Sequence, residues 1–189
     1  MKVTMVTSNE GKAKEVAAFF GGLVEVAHVA LAIPEHHSDD VGEIARGKAQ
    51  YAYERLKTPI LVDDTGLFID ALSGFPGPYA AYALHSIGNT GILKLMEGKT
   101  DRTARFVTAI AFADERGVQV FKGTIEGRIT HAPRGTGGFG YDPIFEVGGK
   151  TLAELPIEEK STMSHRARAL AAFHDWFIRE YRAAVDAND

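Results

Sequence analysis

The chain has 189 residues, of which 45% are hydrophobic and 24% charged, and its 25 acidic and 21 basic side chains leave a formal charge of −4. These are the proportions of a soluble globular protein; the negative balance argues against a broad nucleic-acid-binding surface, and the absence of cysteine excludes disulfides and thiolate zinc sites. Met1-Lys2-Val3 leads directly into a strand pattern, and no run approaches the roughly 20 apolar residues that a membrane helix needs. The expectation is a soluble cytoplasmic protein that folds as one α/β domain over 1–189 with two lobes.

Val3 to Thr7 reads as an opening strand, followed by a turn and a helix from Glu10 to Phe20 with Ala13, Val16, Ala17 and Phe20 at helical spacing. Asn9 is the expected N-cap, which puts Lys12 in the first turn, where the helix dipole disfavours a cation. A bound anion reverses that penalty. Thr7-Ser8-Asn9-Glu10-Gly11-Lys12 therefore reads as a phosphate cradle of backbone N–H groups, side-chain oxygens and one ammonium, with a solvated surface lysine as the alternative. Gly21-Gly22 is expected to stop this helix, and Val24 to Ala30 to form a second strand. His36-His37 lacks the i, i+4 geometry of a helical metal pair and is assigned no role. A helix from Val41 to Lys57 carries an apolar stripe of Val41, Ile44, Ala45, Ala49, Ala52 and Leu56, and Asp40 with Glu43 has the spacing of a capping box.

Pro59 ends that helix. Ile60-Leu61-Val62 is the unalternating apolar run of a strand buried on both faces, and it stops abruptly at Asp63-Asp64-Thr65-Gly66. Successive strand side chains point to opposite faces, so only one carboxylate is expected to work at a ligand. A carboxylate at the mouth of an apolar strand suits a hard cation such as Mg²⁺ that brings a phosphate with it.

Beyond the carboxylates, Leu67 to Ala71 is expected to continue extended; Ser73 to Pro78 is a dense run of turn formers, and Tyr79 to Ile87 and Thr90 to Met96 read as two short helices separated by Gly88-Asn89. Ala104 to Ala113, a turn at Asp114 to Gly117, then Val118 to Phe121 form a hairpin pattern that Gly123 to Thr130 extends, so a mixed sheet is expected. Gly135 to Gly140 contains GxGxxG, but it leads into Tyr141-Asp142-Pro143 rather than a helix, and no Gly-Lys-Ser/Thr follows. Both the dinucleotide and the Walker readings fail on context. What remains is a backbone able to approach a ligand closely, with two aromatics suited to stacking on a base, or else a surface loop. His165 and Arg166 open the last helix, which is expected to run to about Val185 with Ala167, Leu170, Phe173, Phe177 and Tyr181 on one stripe. Lys12, His165 and Arg166 are thus donors at helix starts, with no local partner to justify them.

Taken in order, Thr7 to Lys12, Asp63-Asp64-Thr65-Gly66-Leu67, Gly74-Phe75-Pro76-Gly77, Gly137 to Pro143 and Ser164-His165-Arg166 resemble the inosine triphosphate pyrophosphatase family from Thr7 to Arg166. The resemblance implies hydrolysis of non-standard purine nucleoside triphosphates such as ITP, dITP and XTP to the monophosphate and pyrophosphate. It implies a two-lobed α/β fold around a long central mixed β-sheet flanked by helices, the active site in the cleft between lobes, Mg²⁺ as cofactor and a homodimer. Carried over by position, Asp64 is the catalytic carboxylate and Glu43 its partner metal ligand. Lys12 and Lys160 contact phosphates and Thr65 the substrate, while Phe139, Gly140, Tyr141, Asp142, His165 and Arg166 surround the base. One departure concerns Tyr79, followed here by Ala80-Ala81-Tyr82 where many bacterial members carry Ser-Ala-Arg. A role for that arginine has no counterpart in this chain.

Two other classes stay open at this level. A pyrophosphatase of the similarly folded septum-inhibitor type would act on other modified nucleotides, against which Ser164-His165-Arg166 argues. A non-catalytic nucleotide-binding module would lack Asp64 or Glu43, and both are present.

Overall fold

The computed structural model describes residues 2–20, 25–34 and 37–181. The stop at Gly21-Gly22, the start of the second strand at Val24, His36 and the end of the last helix at Val185 lie outside them. Eight strands form one mixed sheet, in the spatial order β2-β1-β3-β5-β6-β7-β8, with β4 paired to β3. In sequence they are β1 Lys2–Val6, β2 Glu25–Val29, β3 Ile60–Ile69, β4 Pro76–Gly77, β5 Thr103–Asp114, β6 Gly117–Ile129, β7 Phe145–Val147 and β8 Lys150–Thr151. The first three run parallel and the rest pair antiparallel, as the mixture of βαβ and hairpin patterns requires.

Helix α1 (Glu10–Phe20) crosses from β1 to β2, and α2 (Val41–Leu56) from β2 to β3, on opposite faces of the sheet. On one face Val16 and Phe20 of α1 pack with Leu61, Ile110 and Phe112 and with Leu170 and Phe173 of α5 (His165–Trp176). On the other, Val41, Ala45, Ala49 and Ala52 of α2 meet Ile60, Val62, Ala109 and Ala111. Even-numbered residues of β3 therefore face α2 and odd-numbered ones face α1 and α5, the two-residue alternation of a strand. A third cluster, around Leu67, Ile69, Ile92, Phe106, Ile125 and Phe145, covers the far half of the long strands β3, β5 and β6. There the cover is α3 (Ala80–Leu95), which breaks at Gly88 (φ 62°), together with the segment from Tyr141 to Leu155.

β3 runs through its carboxylates and, as expected, stays extended beyond Leu67, though only to Ile69; all ten of its residues pair with β5, while β1 stops after pairing Thr4 and Met5 with Ile60 and Leu61. From Val62 to Gly66 β3 thus has an open edge, where β1 has ended and before β4 pairs with Leu67 and Phe68. The chain leaves β1 toward α1 and leaves β2 toward α2, on opposite faces, which opens a crevice at the carboxyl end of the parallel strands. The hairpin of β5 and β6 closes at Gly117, and β6 is one strand of thirteen residues where the sequence suggested two pieces. At its middle, Gly123 lets α5 lie directly on the sheet, since a Cβ there would stand 2.1 Å from the carbonyl oxygen of His165. Backbone contact at that point fixes the start of α5, and with it the next side chain, over the sheet. Among the described residues no helix is long and apolar enough to cross a membrane.

Candidate active site

The crevice at the end of β1 is a cleft of about 580 Å³. Its walls include Thr7, Ser8, Asn9 and Lys12 from the β1–α1 turn, Ile44 and Lys48 from α2, and Asp63, Asp64 and Thr65 from the open edge of β3. Tyr79 and Tyr82 of the far lobe stand across it. Asn9 caps α1 as expected, its Oδ1 accepting from the N–H of Lys12 at 3.2 Å, and its own N–H donates to Thr7 Oγ1 at 3.1 Å. The sequence-predicted phosphate cradle and the two carboxylates therefore line one cavity. Glu10 and Gly11 lie beside it rather than among its walls.

Asp63 and Asp64 point to opposite faces of β3, and each meets a lysine. Lys48 Nζ lies 2.5 Å from Asp64 Oδ1, whereas Lys12 Nζ lies 3.1 Å from Asp63 Oδ1. Burial pushes the Asp64 carboxyl above its ordinary range, outweighing the opposing pull of Lys48. Asp63 is more deeply enclosed, yet Lys12 and Arg166 overcome the burial and hold it down at about 2. Each carboxylate has one buried oxygen without a hydrogen-bond partner, Asp63 Oδ1 and Asp64 Oδ2, but Asp63 Oδ1 is ion-paired with Lys12, which leaves Asp64 Oδ2 as the uncommitted one.

Behind the cleft stands a buried ionic cluster that the sequence only half revealed. Arg166, 2% exposed, donates from Nε to Asp63 Oδ2 at 3.0 Å, from one terminal nitrogen to Glu15 and from the other to Thr65 Oγ1 at 3.3 Å. Lys160, on α4 (Ile157–Met163), is 4% exposed and donates at 2.7 Å to both Glu15 Oε1 and Asp142 Oδ2. Three cations and three carboxylates therefore alternate from Lys12 through Asp63, Arg166, Glu15 and Lys160 to Asp142. Burial lowers the affinity of Arg166 for its proton, but Asp63 and Glu15 more than reverse this and keep it charged. Burial raises Asp142, with Lys160 opposing. His165, which packs edge-on against Phe106, is driven far below its ordinary value by burial and by the neighbouring Arg166 and Lys160, so it is neutral. Its Nδ1 accepts from the N–H of Arg166 at 2.8 Å, which leaves the ring proton on Nε2 as a donor.

Phe139 lies among α1, α4 and α5. Its ring lies over Lys160 (4.6 Å) and Arg166 (5.9 Å) and against α1, where a Cβ on Gly11 would come within 3.0 Å of it. Gly11 thus admits the aromatic side chain, a reason for that glycine that has nothing to do with phosphate. Tyr141 turns inward: its hydroxyl donates to the carbonyl of Ala80 at 2.7 Å, and burial pushes its pKa up to about 12. Glu43 is exposed in the first turn of α2 and does not line the cleft with Asp64. Its neighbour Asp40 caps the helix alone, accepting from Gly42 N–H at 2.6 Å. Among the described residues no three acidic or histidine side chains gather as a metal-binding group. Asp64 by itself fits Mg²⁺, which takes one or two carboxylates and completes its shell with phosphate oxygens and water.

Two residues escaped the sequence reading. Glu15 sits three positions after Lys12 and next to Val16, a carboxylate on the buried face of α1, and that intrusion of charge was the available signal. Lys48 sits four residues after Ile44, at the border of the α2 stripe.

The chain is similar to known proteins over nearly its whole described length. The model of the Ham1 family matches residues 3–176. A dITP/XTP pyrophosphatase of Methanopyrus kandleri is 49% identical over 183 residues, covering 94% of this chain and 96% of that protein. Inosine triphosphate pyrophosphatase 1 of Trypanosoma cruzi is 47% identical over 180 residues, covering 93% and 92%. The solved Staphylococcus aureus Ham1 protein superposes with a TM-score of 0.84 at 32% identity, covering 95% of this chain and 100% of its own. A match that runs through nearly every element on both sides of the cleft leaves one assignment: the chain belongs to the Ham1 family.

Proposed function

We infer that the protein is a nucleoside triphosphate pyrophosphohydrolase that cleaves non-standard purine nucleoside triphosphates, ITP, dITP and XTP, to the monophosphate and pyrophosphate. The observation that carries this reading is the single cleft in which the α1 N-terminal turn faces Asp64 and Lys48 across the open edge of β3. A helix N-terminus with Thr7, Ser8, Asn9 and Lys12 receives the phosphates, since its free N–H groups and the ammonium both favour anions. Asp64, with its unpartnered Oδ2, orients the attacking water and takes its proton, and Lys48 offsets charge at the same point. Mg²⁺, when bound, would be held by Asp64 and the phosphate oxygens and would supply charge neutralisation on the anhydride. Glu43 is the residue least supported by the geometry as a second ligand.

The nucleobase belongs on the other side of the Lys12–Asp63–Arg166 chain, against Phe139. Neutral His165 and the forked Arg166 offer donors to a 6-oxo group, where adenine would present a donor of its own. Donor facing donor leaves two unpaired groups at about 1–3 kcal/mol each, enough for at least roughly tenfold discrimination. Hydrolysis in the cytoplasm as a Mg²⁺-dependent homodimer completes the reading. The test is pyrophosphate release from ITP, dITP, XTP, GTP and ATP with Mg²⁺. The expected result is kcat/KM highest for the first three, with monophosphate as co-product; orthophosphate and diphosphate as products would overturn it.

A further inference from the structure

Phe139 stands between two glycines in the left-handed region, Gly138 (φ 67°) and Gly140 (φ 66°). Such a segment has backbone freedom on both sides of the one side chain that must stay put. Hydrogen bonds from both sides limit that freedom. Asp142 Oδ2 accepts the N–H of Phe139 at 2.7 Å and the Asp142 N–H donates to the Phe139 carbonyl at 3.2 Å, while Asn89 Nδ2, from a distant helix, donates to the carbonyl of Gly140 at 3.0 Å. The peptide units on either side of Phe139 are held by Asp142, and the next one, Gly140–Tyr141, by Asn89. Asp142 already serves Lys160, but the Asn89 side chain makes no other hydrogen bond among the described residues. It lies on α3 immediately after the break at Gly88, and its Oδ1 is buried without a partner. Asn89 is half-buried, and the one hydrogen bond its side chain makes among the described residues goes to the loop that carries Phe139.

We propose that Asn89 is a positioning residue for nucleobase binding, fixing the loop that presents Phe139 to the base. The inference rests on the assignment of Phe139 to the base given above. Asn89 touches no substrate, so its loss costs binding and not chemistry. Base–aromatic stacking tolerates any base, so the loss is the same for every substrate.

The experiment is steady-state kinetics on ITP and XTP for the wild type, Asn89→Asp, Asn89→Leu, Phe139→Ala and the double variant Asn89→Leu/Phe139→Ala, with a thermal melt of each. Asn89→Asp keeps the shape and removes the donor; Asn89→Leu removes the donor and the unpaired oxygen together. We expect KM to rise about threefold to tenfold in both, the worth of one hydrogen bond, with kcat within about twofold and equal effects on ITP and XTP. Asn89→Leu should melt at or near the wild-type temperature. In the Phe139→Ala background the Asn89→Leu change should add nothing to KM. An unchanged KM in both Asn89 variants, alongside a raised KM in Phe139→Ala, overturns the anchor and spares the assignment of Phe139. A further KM increase in the double variant likewise overturns the anchor. An unchanged KM in Phe139→Ala overturns the assignment of Phe139 and the anchor with it.

Discussion

Asp63 accepts a 3.0 Å hydrogen bond from Nε of Arg166, 103 residues further along the chain, and both side chains are closed to solvent. Removing the guanidinium leaves Asp63 and Glu15 as buried carboxylates facing a lost partner, which costs about 3–5 kcal/mol. Arg166→Ala is therefore expected to lower the melting temperature sharply as well as to change specificity. Arg166→Lys retains the charge without the fork and is the variant in which discrimination can be read. Its ratio of kcat/KM for ITP over ATP should fall about tenfold or more. A folded Arg166→Lys enzyme with the wild-type ratio would remove Arg166 from base recognition.

Lys12 gains a structural role from the same carboxylate. From sequence its ammonium looked dependent on a bound anion, but Lys12 Nζ lies 3.1 Å from Asp63 Oδ1, which is the local anion in the free protein. Lys12→Ala should thus destabilise the ligand-free protein by about 1–3 kcal/mol, in addition to weakening triphosphate binding. Chemical denaturation without ligand measures the first and KM the second. An unaltered denaturation midpoint would show that the pair contributes nothing to the fold.

Asp63 also predicts acid sensitivity. Its folded pKa of about 2 lies below the ordinary 3.8. A depressed carboxylate contributes stability that is complete above the unfolded value and is lost as pH falls through the folded one. The contribution, roughly 2 kcal/mol, is present above about pH 4 and disappears toward pH 2. Metal-free wild type should lose stability across that window more steeply than Asp63→Asn. Parallel curves would mean that Asp63 is not held ionised by Lys12 and Arg166.

Asp64 separates chemistry from stability. Because burial raises its carboxyl, ionised Asp64 is a burden on the fold at neutral pH, and Asp64→Asn relieves it. We expect kcat to fall several hundred-fold, on the order of a lost catalytic carboxylate, with a melting temperature equal to or above the wild type. Lys48→Ala, which leaves Asp64 without its 2.5 Å partner, should lower kcat while leaving ITP-to-ATP discrimination intact. A loss of discrimination in Lys48→Ala would place that lysine nearer the base than the cleft geometry does.

Local pattern was enough to determine the alternation of strands and helices, the N-caps at Asn9 and Asp40, the break at Gly88 and the apolar run that carries Asp63 and Asp64. Each depends on periodicity, on dihedral preference or on a side chain bonding a few residues away, and such interactions are written in neighbouring letters. Even the opposite facing of the two aspartates follows from strand geometry alone. Their consequences do not. That β3 runs on to Ile69 beside a β1 that has already stopped, and so opens an edge to the cleft, depends on pairing with β5 and with β1, strands distant in sequence. The cations that looked unjustified at helix starts, Lys12 and Arg166, are answered by Asp63 and Glu15 from other elements, and the Tyr141 hydroxyl donates to Ala80 sixty-one residues away. Charge compensation acts through space and at short range in a low dielectric, so only the folded chain decides which carboxylate meets which cation.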